Sequence, residues 1–348
     1  ANVGVMSGGG SAQVYPIGLS PVPNEGPQFF PGPMVYHRSS PMQELASRTK
    51  AKISYADGKD LKAAAKLAAA SDLVIVFGNQ WTAESIDAPD LNLPNKQDDL
   101  IAAVAKANSK TVVVLQTGGP VVMPWLNNVA AVLEAWYPGT NGGAAIARVL
   151  TGEVNPSGRL PATFPASVAQ LPRPVIDGDA VTKDEDILNK TTTNYNIEGA
   201  AVGYKWFDLK GHKPLFPFGY GLSYTTFALS DLAANKSGNS IEVTFSVKNT
   251  GKRDGKAVGQ VYISPAKGGW EAPKRLGGWD KVEVKAGETG KATVKVDPRL
   301  LAMYDSASKT WKIAPGEYVV TLADSAGAKP AATVKVSLDA QTVDIHGK

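Results

Sequence analysis

The pattern of apolar positions between residues 50 and 165 alternates between two kinds of segment. One kind is a short, continuously apolar run, which is typical of a strand covered on both faces. The other kind is longer and carries apolar side chains at helical spacing. Strands and helices that alternate through short turns predict a parallel sheet with right-handed crossovers. The predicted strands lie in "AKISYADG", "DLVIVFGN", "KTVVVLQTG" and "VAAVLEAWYPG", and the predicted helices are "KDLKAAAKLAAASD", "NKQDDLIAAVAKAN" and "NGGAAIARVLTGEV".

The helix predicted at 95–108 carries signals for its own beginning. Asn95 has a side chain of the type that caps helices, and we expect it at the N-cap. Two acidic residues follow near the positive end of the helix dipole, where their charge is stabilising. The acidic residues are Asp98 and Asp99, and the apolar stripe of the helix is Leu100, Ile101 and Val104.

The pattern changes twice after residue 165. Residues 166–235 are rich in turn residues and aromatics, and we expect them to form a connector packed on the other domains. From about 236 the apolar period is two, with regular turn signals, which predicts a β-sandwich of roughly 100 residues. The predicted fold is therefore α/β, with a mostly parallel sheet covered by helices on both faces over 1–165, followed by an all-β sandwich over 236–348.

Composition excludes several classes of function. The chain has 348 residues and a net charge of +4, but its basic residues form no run that indicates a nucleic-acid face. No apolar stretch approaches the roughly 18 residues that span a bilayer. The absence of cysteine excludes disulfides and thiolate metal sites, and the three histidines are far apart in sequence. We therefore expect no cofactor, no metal, no nucleic acid and no membrane partner.

The loop at 78–94, "GNQWTAESIDAPDLNLP", is the first candidate for chemistry. Ligands of an open parallel sheet bind beyond the carboxyl ends of its strands, and this loop leaves such an end. It carries Trp81 followed by three carboxylates at a spacing of three, Glu84, Asp87 and Asp90. Two prolines in the loop argue against a continuous helix, so the carboxylates are expected on an irregular loop.

Three interpretations of these carboxylates compete. The loop is a solvated acidic segment, or it binds calcium, or one carboxyl is catalytic. Calcium is disfavoured because the alternating D-x-D-x-D arrangement is absent. In the catalytic interpretation an aromatic wall raises the pKa of one carboxyl, which then acts as a general acid. Glu84 has the longest reach and lies closest to Trp81 in sequence.

Other motifs carry weaker signals. The segment Ser7–Ser11, "SGGGS", lacks the third glycine of G-x-G-x-x-G and the lysine of a P-loop, so we interpret it as a tight turn near a ligand. No G-x-S-x-G elbow is present. Glu134 ends a buried strand and is interpreted as structural. For Trp136 and Tyr137 two roles compete, packing residues and sugar platforms, and packing is favoured.

Several long motifs, in order along the chain, resemble the C-terminal part of family 3 glycoside hydrolases, the β-glucosidase and exo-β-glucanase group. Residues 132–165 resemble the α/β-sandwich domain of that family, and "GVMSGGGSAQVYP" resembles the glycine-rich loop early in that domain. The connector of the family is similar to "YNIEGAAVGYKWFD" and "PLFPFGYGLSYTTF". Its fibronectin type III-like domain is similar to "VTFSVKNTGKRDGKAVGQVYIS" and "KRLGGWDKVEVKAGET".

The resemblance implies a division of catalytic labour. Family members have a (β/α)8 barrel ahead of the α/β sandwich, and the barrel supplies the nucleophile, an Asp. The sandwich domain supplies the acid/base, a Glu on a loop that matches 78–94, which places Glu84 at that position. Many relatives have E-x-E-x-x-D-R before L-x-L-P, whereas the Arg is missing here. That departure leaves open which of Asp87 and Asp90 replaces the Asp of the family. Both, together with Trp81, are candidate substrate-binding residues.

The implied activity is hydrolysis of terminal β-D-glucosyl residues from β-glucosides or β-glucan oligosaccharides by a retaining mechanism. The chain opens without an initiator Met, which together with the resemblance predicts that the start of the α/β domain is missing and that the barrel is removed or a separate chain. We expect the chain to be inactive alone. The resemblance also implies a periplasmic or extracellular location. The alternative function is a non-catalytic carbohydrate-binding or scaffolding protein that keeps the fold, and a nucleotide-binding α/β protein is disfavoured by the incomplete glycine pattern.

Overall fold

The computed structural model describes residues 4–5, 8–13, 20–21, 35–37, 39–84, 88, 90–174, 194 and 196–344. The chain divides into two compact units, Ala1–Val154 and Asn155–Lys348. Residues 155–165, which we predicted to belong to the α/β domain, fall within the second unit. The three-part division at 165 and 235 stays a prediction.

The first unit contains the α/β part of the fold. Its strands, among the residues described, are β1 Gly4–Val5, β2 Ser20–Pro21, β3 Val35–His37, β4 Val74–Asn79, β5 Thr111–Gln116 and β6 Ala131–Glu134. Its α-helices are α1 Pro41–Arg48, α2 Leu61–Ala69, α3 Gln97–Ala107 and α4 Gly142–Leu150. Short 3-10 turns occupy Gly10–Ala12 and Leu126–Asn128.

Strands β4, β5 and β6 form a parallel sheet with β5 in the centre. The central strand is the most buried, and Val113, Val114 and Leu115 have no exposed surface. This burial explains why the run is continuously apolar rather than alternating. Helix α2 packs against α3, and α1 packs against α4. The predicted parallel sheet with helices is confirmed.

Two local predictions in this unit are wrong. Residues 51–57 form no strand, and they are exposed. Asn95 does not cap α3, because Asn95 and Lys96 both adopt left-handed backbone angles and the helix begins only at Gln97. Instead, the side chain of Gln97 connects the start of α3 to the end of β4. Its Oε1 accepts the Asn79 N–H at 2.8 Å, and its Nε2 donates to the Asn79 carbonyl at 2.8 Å.

The second unit is built mainly from antiparallel strands. Its one α-helix among the described residues is α5 Tyr204–Lys210, and its 3-10 turns are Val168–Gln170 and Pro298–Leu300. Its strands are β7 Phe227–Ser237, β8 Ser240–Asn249, β9 Gly255–Pro265, β10 Arg275–Val284, β11 Thr289–Lys295, β12 Met303–Asp305, β13 Thr310–Ile313, β14 Gly316–Ala323, β15 Ala332–Leu338 and β16 Gln341–Val343.

These strands form three antiparallel sheets, in the orders β10-β9-β14-β15, β11-β8-β7 and β12-β13-β16. The apolar faces of their strands meet in one core, in which Ile241, Val243, Val261, Val320 and Leu322 are completely buried. A period of two residues follows from this arrangement, since each strand faces the core on one side only. The predicted all-β sandwich is confirmed.

The first strand of the sandwich, β7, begins at Phe227 and so precedes the predicted start at 236. A register shift between Ser230 and Ala233 interrupts its pairing with β8, and Asp231 there has a positive φ of 54°. Such a bulge inserts an extra residue and breaks the alternation of apolar and polar positions. For that reason the sequence of β7 does not show the regular alternation by which a strand is recognised.

Candidate functional site

The loop after β4 pairs with the glycine-rich segment near the start of the chain. The Gln80 N–H donates to the Gln116 carbonyl at 3.1 Å, which extends the sheet pairing by one step. Ala83 then forms a parallel bridge with Gly9. The Gly9 N–H donates to the Thr82 carbonyl at 2.9 Å, and the Glu84 N–H donates to the Gly9 carbonyl at 3.3 Å. The backbone from Thr82 to Glu84 is therefore held by a segment more than 70 residues away in sequence.

The carboxylate of Glu84 is exposed and makes a short hydrogen bond to the glycine-rich segment. The Ser11 N–H donates to Glu84 Oε2 at 2.7 Å. Hydrogen bonding from the Ser11 hydroxyl and from this N–H holds the pKa of Glu84 below its usual range. The expectation of a raised pKa beside an aromatic wall is wrong for this chain, because Glu84 remains in water and desolvation contributes too little to offset the donors.

Trp81 lies against the glycine-rich segment. A Cβ atom built on Gly9 would come within 2.7 Å of the Trp81 ring. The indole is half-buried, and its Nε1 is a buried donor with no hydrogen-bond partner among the described residues. Trp81 and Glu84, the first and last residues of the stretch 81–84, therefore both contact the glycine-rich segment.

The remaining predicted site residues lie further along the loop. Asp90 is exposed, and its Oδ1 accepts the Asn92 N–H at 2.7 Å, so the side chain closes a local turn. Asp98 fixes the end of the loop, since it accepts the Leu93 N–H at 3.2 Å and the Trp125 Nε1–H at 2.6 Å. Burial raises the pKa of Asp98. Asp87 lies outside the described residues.

Tyr137, which we interpreted from the sequence as a packing residue, belongs to the site through its hydroxyl group. Its hydroxyl donates to the Gln80 carbonyl at 2.6 Å and accepts the Thr82 N–H at 2.9 Å. Since the hydroxyl proton is used on Gln80, the Thr82 hydroxyl is the donor in the third contact, also 2.9 Å. Tyr137 thus clamps the loop two residues before Glu84, from the "WYPG" segment that follows β6.

Replacement of Tyr137 by Phe is expected to lower the free energy of unfolding by about 1–3 kcal/mol, because the buried groups on Gln80 and Thr82 lose their partner. The measurement is urea unfolding, with hydrogen exchange at the Thr82 amide as a local readout. Tyr55→Phe is the matched control, since Tyr55 is 49% exposed. An unchanged midpoint together with undiminished protection of the Thr82 amide contradicts the clamp.

Glu134, at the end of β6, is a buried carboxyl rather than a surface charge. Burial raises its pKa to about 8, although the hydrogen bond from the Trp136 N–H acts in the other direction. The Trp136 N–H donates to Oε1 at 2.8 Å. The Thr117 hydroxyl donates its proton to the Gly119 carbonyl at 2.8 Å and lies 3.3 Å from Glu134 Oε2. A protonated Oε2 can therefore donate to Thr117, and Glu134 joins the two loops that follow β5 and β6.

The raised pKa of Glu134 predicts that the first unit becomes less stable as pH rises. The folded state keeps the proton up to about pH 8, whereas an unfolded glutamate loses it near pH 4.3. Stability from this group is fully present below the lower value and is lost between the two, at up to about 1.4 kcal/mol per pH unit. Urea unfolding at pH 5 and pH 8 measures the loss, and Glu134→Gln serves as the pH-insensitive reference. A wild-type-minus-variant difference that is equal at both pH values contradicts the prediction.

Within the part of the chain that the structure describes, no three carboxylate, imidazole or thiolate groups come close enough to hold a metal ion. No helix among the same residues has the length and apolarity to cross a bilayer. The expected lack of a cofactor stays a prediction.

Comparison with known proteins assigns the family. Residues 1–224 match the sequence profile of the glycosyl hydrolase family 3 C-terminal domain, and residues 257–326 match that of the fibronectin type III-like domain. The chain belongs to glycosyl hydrolase family 3. The implied family and the α/β plus β-sandwich fold class are therefore confirmed.

The relatives of this family 3 chain include named β-glucosidases. It is 40% identical over 271 residues to a beta-glucosidase of Rhizobium radiobacter, which covers 76% of this chain and 32% of the relative. It is 40% identical over 280 residues to thermostable beta-glucosidase B of Acetivibrio thermocellus, which covers 77% of this chain and 36% of the relative. The chain thus spans about a third of the length of the curated relatives it matches.

Solved structures agree with this assignment. The family 3 chain is similar to a beta-glucosidase of Streptomyces venezuelae, solved in complex with D-glucose, with a TM-score of 0.71 and 39% identity over 80% of this chain and 35% of that one. It is also similar to a beta-glucosidase of Bifidobacterium adolescentis, with a TM-score of 0.76 and 33% identity over 86% of this chain and 45% of that one.

Proposed function

We propose that this chain supplies the general acid/base, Glu84, of a retaining β-glucosidase whose nucleophile is an aspartate outside these 348 residues. The observation that carries the proposal is the exposed carboxylate of Glu84, held by a fixed donor on a loop at the carboxyl end of a parallel strand. Glu84 is the only glutamate in the loop 78–94. The relatives named as β-glucosidases support the substrate class, terminal β-D-glucosides.

The proposed reaction has two steps. In the first, an aspartate of the (β/α)8 barrel attacks the anomeric carbon while the Glu84 carboxyl gives its proton to the leaving oxygen. In the second, the Glu84 carboxylate takes a proton from water, and that water displaces the aspartate from the anomeric carbon. Two inversions give net retention, and Glu84 ends the cycle protonated as it began. The two carboxyl groups need to be about 5–5.5 Å apart.

The electrostatics of Glu84 support a requirement for a second domain. The lowered pKa favours the carboxylate, which is the form needed in the second step. The first step needs the protonated form, and a pKa nearer neutrality makes that form available. Burial under a barrel and the negative charge of a nearby nucleophile both raise the pKa of a carboxyl. We therefore assign the tuning of Glu84 to the barrel rather than to this chain.

The other candidate residues take supporting roles in the proposal. We assign Trp81, whose indole contacts the same glycine-rich turn as Glu84, as a wall for the leaving-group sugar. Asp90 and Asp87 shape the loop or contact the substrate at its outer edge. The barrel, in the same polypeptide or as a separate chain, is the proposed partner, and a periplasmic or extracellular location follows from the habit of the family.

The test of this reaction is the anomeric configuration of the first-formed glucose. The complete protein, with barrel and present chain together, is mixed with an aryl β-glucoside and followed by proton NMR before mutarotation. We expect the β-anomer to appear first and the α-anomer to grow in later. First appearance of the α-anomer excludes the retaining mechanism, and an absence of glucose excludes the activity.

A further inference from the structure

The glycine-rich turn, Gly8–Ser11, touches every residue of the stretch 81–84. Two backbone hydrogen bonds join Gly9 to Thr82 and Glu84, and a third joins the Ser11 N–H to the Glu84 side chain at 2.7 Å. The last contact differs in kind from the others, because it fixes a side chain rather than the backbone. Neither the parallel sheet nor the core needs a donor aimed at that carboxylate.

The turn has no space for side chains at its three glycines. A Cβ on Gly8 would lie 2.9 Å from the Thr82 carbonyl oxygen, and one on Gly9 would lie 2.7 Å from the Trp81 ring. A Cβ on Gly10 would overlap the Cβ of Glu84 and lie 2.8 Å from its Oε2. Gly10 also has a φ of +84°, a left-handed angle at which a side chain is strained. The three glycines therefore allow the stretch 81–84 to approach closely, and Gly10 makes room for Glu84.

We propose that Gly10 and Ser11 are positioning residues for the proton transfer by Glu84. Gly10 leaves the room in which the Glu84 side chain lies, and the Ser11 N–H selects the orientation of its carboxyl group. Because Oε2 accepts the Ser11 N–H, Oε1 is the oxygen that carries the transferable proton. This inference rests on the proposed function of Glu84, but the positioning itself is a property of the present chain.

The same contacts influence the equilibrium between the protonated and the ionised form of Glu84. A hydrogen-bond donor stabilises the carboxylate over the neutral acid, so Ser11 favours the base of the second step. The lowered pKa of Glu84 has the Ser11 hydroxyl and N–H as its two leading causes. Removal of these donors is expected to favour the acid, and displacement of the side chain is expected to impair both steps.

The first experiment measures the pKa of Glu84 in the 348-residue chain itself. Carbon-detected NMR of chain labelled with [13C]glutamate follows the carboxyl resonance, which Glu84→Gln assigns. We expect the wild type to titrate below an ordinary glutamate, and both Gly10→Ala and Ser11→Ala to titrate at higher pH. Ser11→Ala removes the hydroxyl and keeps the N–H, whereas Ser11→Pro removes the N–H donor itself. Ser11 is exposed, so these two variants keep the proposal testable if Gly10→Ala does not fold.

Gly139→Ala is the matched control for Gly10→Ala. Gly139 lies in the same unit and has a left-handed φ of +70°, but nothing lies within 4 Å of a Cβ built on it. It therefore reproduces the backbone strain without the contact to Glu84. A pKa of Glu84 that is the same in folded Gly10→Ala, in Ser11→Ala and in the wild type overturns the proposal. So does an equal shift in Gly139→Ala.

The second experiment uses the complete enzyme and separates this proposal from the function on which it rests. Gly10→Ala is expected to lower kcat on cellobiose about 10- to 100-fold, as for a misplaced catalytic group, with KM little changed. Loss of turnover in Glu84→Gln with unchanged kcat in Gly10→Ala refutes the positioning role alone. Unchanged turnover in Glu84→Gln refutes the proposed function, while the NMR result still decides whether the turn holds the carboxylate.

Discussion

Glu84→Gln in the complete enzyme is expected to lower kcat on cellobiose by about 10²–10⁴-fold, the usual contribution of general acid–base catalysis. The amide has nearly the shape of the carboxylic acid but has no acidic proton to give to the leaving sugar oxygen. An aryl glucoside with an acidic phenol leaves as its anion and needs little protonation. Its first step is therefore expected to be affected much less. Steady-state kinetics with the two substrates measure the difference.

The outcome of Glu84→Gln discriminates among three accounts of the residue. An unchanged kcat on cellobiose favours the alternative of a non-catalytic carbohydrate-binding or scaffolding protein. An equal loss of kcat/KM, which reports the first step, on both substrates indicates a structural role. Glu153→Gln is the control, because Glu153 is an exposed surface carboxylate paired with Arg48 and Arg148, a kind of contact that contributes little. Wild-type kinetics are expected for this control.

The 348-residue chain by itself is expected to release no aryl alcohol from an aryl β-glucoside above the rate in buffer. Its Glu84 is an exposed carboxylate whose lowered pKa disfavours the acid form, and the proposed nucleophile lies outside it. A retaining hydrolase needs both carboxyl groups on either side of one glycosidic bond. The measurement is a discontinuous assay of released phenol at high protein concentration, over hours.

A valid negative result requires that the chain is folded. Cooperative urea unfolding of the chain, followed by tryptophan fluorescence, is the first control, and the complete enzyme under the same conditions is the second. Hydrolysis by the chain that persists in Glu84→Gln indicates a contaminating enzyme. Hydrolysis by the wild-type chain that Glu84→Gln abolishes contradicts the division of the catalytic pair between domains.

The elements that were predicted correctly are those whose burial pattern is regular, either continuous or alternating. Strand β5 is covered on both faces, so its apolar run stands out from the sequence. Strand β7 was not recognised as part of the sandwich, since a bulge near Asp231 breaks its alternation. Asn95 has the right side chain for an N-cap but a left-handed backbone, and the backbone there follows from the contacts of Gln97 with Asn79.

The assignment of Glu84 as the central residue of the candidate site stays a prediction, and the contacts that hold its side chain and loop were not predicted. Glu84 followed from its place after a buried strand together with the family resemblance. Its supports, Ser11 and Tyr137, come from segments far away in sequence, and only the folded chain brings them to the loop. The run of three glycines was the one available signal, since close backbone approach is what glycine permits. The sequence did not show which residues approach these glycines.

The most direct test of Glu84 as acid/base is rescue of Glu84→Ala by azide in the complete enzyme. The second step normally needs a base to activate water, whereas azide is already an anion and needs none. The shorter side chain also leaves room for it beside the anomeric carbon. With an activated aryl β-glucoside, we predict that azide restores turnover of the variant and that the product is β-glucosyl azide, with retained configuration. Turnover that azide does not increase, with no glucosyl azide formed, contradicts the assignment of Glu84.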